Sequence, residues 1–147
     1  MSNEEITNGL NVLLADYMVL YQKLRNYHWN VRGHEFFKLH EQFEQAYLQT
    51  ADWADDLAER ILAIGETPYS TLQQFTANAR LSEDPESPPA EQMVQNLVDD
   101  IQKLNDWSRN LAESAEDVHD RTTTNLLDDI VDAQEERVWM FKTFLEN

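Results

Sequence analysis

The 147 residues carry 28 acidic and 11 basic side chains, a net charge of −17, and no cysteine. That is enough chain for one domain with a real core, and the expectation is a single domain over residues 1–147. The composition excludes disulfides and thiolate metal sites, disfavours nucleic acid and anionic lipid as direct partners, and matches a reducing cytoplasm.

No stretch is apolar for long enough to span a membrane, and no basic-then-apolar leader is evident. The acidic surface reads first as a solubilising coat and second as a surface that attracts metal cations.

Glycine and proline are scarce and act as punctuation at Gly33, Gly65 and the cluster Pro85, Pro88, Pro89; between them the apolar period is helical. The first helix opens at Ser2, whose hydroxyl can cap while Glu5 completes an S-x-x-E box. Its seam is Ile6, Leu10, Leu13, Tyr17, Leu20, Leu24, Tyr27 and Val31, in alternating steps of four and three. Gly33 can take positive φ and stop it.

The second helix runs from about Glu35 to Ile64, with a seam of Phe36, Leu39, Phe43, Ala46, Thr50, Ala54, Leu57, Ile61 and Ile64. Each of these helices is about 30 residues, or roughly 45 Å.

The connection from Gly65 to Pro89 is far longer than an antiparallel turn needs. Within it Ser70 and Gln73 form a capping box, predicting a short helix near 70–78, and SEDPESPP is a loop. Such a length predicts a crossover from one end of the bundle to the other, making the second and third long helices parallel.

The third long helix starts near Pro88–Pro89 and buries Val94, Leu97, Ile101, Leu104, Ser108, Leu111, Ala115 and Val118. Asp120 or a nearby threonine caps the fourth, whose stripe is Leu127, Val131, Gln134, Val138, Phe141 and Leu145. The sum is an all-α, ferritin-like four-helix bundle with a short extra helix in the long crossover between helices 2 and 3.

The stretch from His28 to Glu59 concentrates the chemistry, with three of the four histidines and many carboxylates. His28, His40, Asp55 and Glu59 suit iron, zinc or manganese. Asp55 and Glu59 stand at i and i+4 on one helix face, as do His40 and Glu44.

His40 and Asp55 are fifteen residues apart on one helix, roughly 22 Å along its axis with about 60° of rotation between them. Metal–ligand bonds are about 2 Å. The two residues face nearly the same way yet cannot bind one metal within one chain. A second copy, antiparallel across a two-fold axis, brings one chain's His40 end to the other's Asp55–Glu59 end and makes two equivalent sites. His28 can join from the His40 side. An intrachain di-iron bundle wants two E-x-x-H pairs, and only Glu116–His119 is present.

These segments resemble the Dps family, the mini-ferritins named as DNA-binding proteins from starved cells. The resemblance covers essentially the whole chain. It rests on NYHWNVRG-x-x-FF-x-LH-x-x-F, on D-x-x-AER-x-LAIG, on VWMFKTFL, and on the combined spacing of His28, His40, Asp55 and Glu59.

The resemblance implies a homo-oligomeric, dodecameric hollow shell with ferroxidase centres at two-fold interfaces. His28 and His40 come from one subunit, Asp55 and Glu59 from its neighbour, and Glu44 stands as an acidic helper. It also implies oxidation of Fe(II) with hydrogen peroxide or O2, peroxide typically preferred, and storage of ferric mineral, which protects against oxidative damage. Trp29 lies beside the centre and absorbs stray oxidising equivalents. Glu41 and Glu44 are candidates for mineral nucleation, and Asp120, Asp128 and Asp129 for an iron-entry pore. Asn125 and Arg121 depart from an acidic pore.

Carboxylates are hard ligands that favour Fe(III) over Fe(II), which fits the reaction. Zinc is a possible substitute metal.

The alternative function is a non-catalytic shell that sequesters metal or coats DNA through bridging cations. Family members that bind DNA commonly use Lys/Arg-rich tails. Here the first ten residues hold no Lys or Arg, so direct DNA binding is expected to be weak and a cytoplasmic rather than nucleoid-associated location is expected. By default the four tryptophans read as packing groups, and His34 and His119 as surface residues.

Overall fold

The computed structural model describes residues 3–146. They form five helices: α1 (Asn3–Asn30), α2 (Phe36–Ala63), the short α3 (Leu72–Asn78), α4 (Ala90–Asp117) and α5 (Arg121–Leu145), with no strand among the described residues. The expected Ser2 cap lies outside the described residues.

The periodic seams become the core. Every seam residue of the first helix is at most 2 % exposed, Val31 included, although α1 itself closes at Asn30. Phe43, Leu57, Ile61, Leu97, Leu104 and Leu127 are sealed from solvent. Burying each such side chain stabilises the fold by about 1.5–3 kcal/mol.

Cross-helix contacts give the directions. Tyr17 meets Trp53 and Tyr21 meets Tyr47, so α1 and α2 are antiparallel. Lys23 meets Asp100, and Asn96 donates to the Tyr27 hydroxyl, so α1 and α4 are antiparallel too. Hence α2 and α4 are parallel, as the long crossover requires. Phe43 against Phe141 and Gln134 bonded to Asn105 set α5 antiparallel to both.

The crossover climbs alongside α1 and is tied to it rung by rung. Asn11 donates to the Thr67 carbonyl and accepts from the Tyr69 amide. Asp16, fully buried, accepts from the backbone amides of Arg80 and Leu81 and from the Arg80 guanidinium, whose Nη2 is 2.7 Å away. Lys23 donates to the Ser82 carbonyl and pairs with Asp100 at 2.8 Å. Burial pushes the Asp100 carboxyl above its ordinary pKa even so. Tyr27 donates to Asp84 at 2.6 Å, which holds that carboxyl below the ordinary range.

Three details correct the sequence reading. The capping box of α3 is Thr71 with Gln74, one residue beyond Ser70 and Gln73, because Thr71 is the residue in the extended conformation that lets its hydroxyl reach the Gln74 amide. Trp29 and Trp139 are not packing groups; they are 57 % and 64 % exposed. Trp53 packs on Tyr17, and Trp107 lies under Arg80 at 3.9 Å. The third glycine, Gly9, is no break: a Cβ there would stand 2.6 Å from the Leu111 side chain, so it permits close approach of α1 to α4.

Two helices end alike. After α2, Gly65 at φ +88° donates to the Leu62 carbonyl, and Glu66 to Ile61. After α4, His119 at φ +64° donates to Glu116, and Asp120 to Ala115. This is the bonding of a Schellman stop, which favours glycine. His119 therefore lies beyond the helix, so Glu116–His119 is not a helical E-x-x-H pair.

Asp16→Ala should cost about 3 kcal/mol, since it leaves a guanidinium and two amides without their acceptor; the denaturant midpoint measures it. His119→Gly should stabilise by about 0.5–1 kcal/mol in the same assay, by removing a left-handed non-glycine residue.

Candidate metal centre

His28 closes the last turn of α1 and His40 opens α2. Their rings stack with centroids 3.8 Å apart and planes 13° from parallel. Each ring bonds the other's backbone: His28 Nδ1 lies 2.6 Å from the His40 carbonyl, and His40 Nδ1 lies 2.7 Å from the His28 carbonyl.

A carbonyl oxygen only accepts, so both Nδ1 atoms must carry the proton. In the neutral ring that tautomer leaves the lone pair on Nε2, the atom a metal ligand offers. The His28 carbonyl is also one of the groups a helix C-terminus leaves without an intrahelical partner, so His40 finishes α1 while being oriented by it. Glu44 Oε1 stands 3.6 Å from His28 Nε2, too far for a hydrogen bond but at the mouth of the imidazole pair. Two nitrogens and a carboxylate make one half-site.

The second half-site lies four turns along the same helix. Asp55, Asp56 and Glu59 each offer a carboxylate oxygen within 4.8 Å of the others, all exposed. Partial desolvation by the surrounding side chains, then the charges of Asp55 and Asp52, push the Asp56 carboxyl above its ordinary pKa although it stays open to solvent. Asp56 was missed by reading i,i+4 pairs alone; its adjacency to Asp55 was the available signal.

α2 is unbroken from Phe36 to Ala63, so His28, His40 and Glu44 are brought together, Asp55 and Glu59 are brought together, and the two groups stay apart. With three donors each, neither half completes a coordination sphere. Oxygen and imidazole donors without sulfur suit iron, manganese or zinc.

The other named residues are scattered. Glu41 is exposed on α2, and Trp29 stands on the surface with Arg25 Cζ 4.8 Å from its ring. Asp128 and Asp129 are exposed on α5. Asp120 caps α5, accepting from the Thr123 amide and hydroxyl, and pairs with Arg60 at 2.9 Å. Burial raises its pKa, but the Thr123 bonds and Arg60 outweigh that and hold it below the ordinary value.

The ferritin-like domain family matches residues 7–147. The chain is 39 % identical over 137 residues to the DNA protection during starvation protein of Brevibacillus brevis, spanning 93 % of this chain and 92 % of that one. Its fold is similar to that of Dps from Staphylococcus aureus, with TM-score 0.97, 33 % identity, and 99 % and 98 % of the two chains covered. It is also similar to the Vibrio cholerae Dps, described as a member of a broad superfamily of ferritin-like diiron-carboxylate proteins, with TM-score 0.94, 36 % identity, and 97 % and 90 % covered.

The strain in the acidic half-site has a pH signature. The folded pKa of Asp56 is raised, so its contribution to stability is full below the ordinary carboxylate pKa and is lost as pH rises through the folded value. Without metal, Asp56→Asn should unfold at a higher temperature than the wild type at neutral pH, and the gap should close in acid. A gap that persists at low pH would refute a cost tied to the Asp56 charge.

Proposed function

The chain belongs to the Dps family of ferritin-like proteins, and on that premise we propose that it is a ferroxidase and iron store. Fe(II) is the substrate, hydrogen peroxide the preferred oxidant with O2 as the other, and the ferric product is kept inside a closed shell of identical subunits.

The observation that carries the proposal is the make-up of one face of α2. Phe37, His40, Glu44, Leu48, Ala51, Asp55, Glu59 and Leu62 recur along it at helical spacing. An antiparallel copy about an axis between Gln49 and Thr50 sets His40 opposite the partner's Glu59 and Glu44 opposite the partner's Asp55. The same axis sets Leu48 opposite the partner's Ala51 and Phe37 opposite the partner's Leu62.

Phe37, Leu48 and Leu62 are 83 %, 55 % and 59 % exposed in the single chain, an apolar set suited to an interface. Glu44 against the partner's Asp55 is acid against acid, a repulsion that only a cation between them turns into attraction. One register thus buries the apolar residues and closes two metal centres.

In this reading His28 and His40 bind Fe(II) through Nε2, with Glu44 beside them. Asp55 and Glu59 from the neighbour complete the centre, and their hard oxygens favour Fe(III). Asp56 and Glu41 continue the acidic surface along α2, where ferric ions leaving the centre meet further carboxylates, and Glu41 and Glu44 serve mineral nucleation. Asp128 and Asp129 remain the candidates for cation entry, whereas Asp120, held by Arg60, serves α5 first. No helix among the described residues is long and apolar enough to cross a membrane.

The test adds Fe(II) without oxygen and then peroxide. Ferric absorbance should rise fast in the wild type and fall about 10-fold or more in rate in His28→Ala and Asp55→Ala. Leu48→Glu retains every ligand, yet it should lower the assembly state on sizing and lose the reaction with it. A monomer that oxidises iron at the full rate would overturn the shared centre; equal rates in all variants would overturn the ligand assignment.

A further inference from the structure

A groove between α2 and the C-terminal half of α5 takes no part in the metal centre. It encloses about 410 Å³, within the range of small-molecule sites, roughly 300–1,000 Å³. Lys38 and Glu41, which line it, lie at least about 100° round α2 from His40. The groove therefore opens on a different face from the imidazoles and from the residues proposed to meet a second copy.

Its floor is Leu39 and Phe141, both buried in the core, and its walls are Met140 and Phe144. Because α5 runs antiparallel to α2, Arg137 stands at one end and Lys38 with Glu41 at the other. Arg137 Nη2 donates to Gln49 Oε1 at 2.7 Å, which fixes that end.

The two ends differ in charge. Lys38 and Glu41 are one turn apart on α2, so their charges offset. Arg137 has no such neighbour in the groove. Arg60, Arg80, Arg109 and Arg121 each face a carboxylate, whereas among the described residues none forms an ion pair with Arg137. Gln49 takes one N–H of a guanidinium that has several. Burial disfavours the Arg137 charge, and Glu136 only partly offsets that. In a chain of net charge −17, this is a cation left over beside an apolar surface.

We propose that the groove binds an amphipathic monocarboxylate, its head on the Arg137 guanidinium and its apolar chain along Met140, Phe141 and Phe144. The planar guanidinium meets a carboxylate with two parallel N–H···O bonds. A neutral ligand would leave the half-buried charge unpaired. A phosphate head would bring a second negative charge with one cation to meet it. From Arg137 to Phe144 the helix advances roughly 10 Å, the reach of a medium-length acyl chain. The Met140 thioether, flexible and polarisable, adapts to such a chain. Nothing in this site depends on iron, so it goes beyond the ferroxidase reading and stands apart from it.

The test titrates octanoate into the assembled, metal-free protein by calorimetry, with octanol, acetate and octyl phosphate in parallel. Octanoate should saturate at one per subunit. Octanol lacks the charge and acetate lacks the chain, and each should bind at least about 10-fold more weakly. Octyl phosphate should also bind more weakly than octanoate. Arg137→Gln should lose about 10-fold or more in octanoate affinity, and Arg137→Lys less, since it retains the charge without the fork. Met140→Glu sets a like charge on an exposed wall; it should abolish saturation and leave the melting temperature and particle size unchanged.

Absence of saturable octanoate binding to the assembled wild type overturns the proposal, including the case in which a neighbouring copy covers the groove. Equal binding of octanol, or tighter binding of octyl phosphate, overturns it as well. So does wild-type affinity in both Arg137→Gln and Met140→Glu.

Discussion

An α-helix advances about 1.5 Å per residue and does not bend back on itself, and that constraint governs this molecule. α2 holds its residues in fixed order along a straight rod. One of its faces supplies the core through Leu39, Phe43, Leu57 and Ile61. Another carries the His40 imidazole and Glu44 at one end and Asp55 and Glu59 at the other. Chemistry that needs both ends must come from pairing rods rather than folding one. The exposed Phe37, Leu48 and Leu62 on that face make the same demand through apolar area, so the pressure to assemble and the pressure to complete a centre act on the same face.

The rod must also be oriented, and α1 does this at its C-terminal end and along its length. At the top, the reciprocal bonds of His28 and His40 lock the α1–α2 corner and set the tautomer of both rings. Along its length, Asn11, Asp16, Lys23 and Tyr27 take hold of the crossover. Burying polar groups is costly unless each is satisfied, and here each meets a backbone group or a charged side chain of the crossover. The polar groups of α1 therefore specify one path for a loop that apolar packing alone would leave free. That path makes α2 and α4 parallel.

Much of this was legible in residue order. The four long helices, their seams, the crossover and the Asp120 cap follow from periodicity and punctuation. The separation of His40 from Asp55 follows from counting. Other features were hidden because they depend on where chain segments meet. Ser70 and Thr71 both precede a glutamine three residues on, and only the backbone conformation selects Thr71. Trp29 and Trp139 look like core aromatics until their helices are rotated into place. Glu116 and His119 have the spacing of a metal pair, and a left-handed residue removes it. Asp120 reads as a cap and a pore acid until Arg60, sixty residues earlier, is seen paired with it.

By itself the sequence determined the helical period, the breaks, the acidic surface and the distance between the two half-sites, because these depend on local geometry and on composition. Only the tertiary structure decided which nitrogens of His28 and His40 face a carbonyl, the anchoring of the crossover on α1 and the addition of Asp56 to the carboxylates. Each of those requires atoms from distant parts of the chain to come within a few ångströms, and periodicity carries no information about which distant residue a side chain will meet.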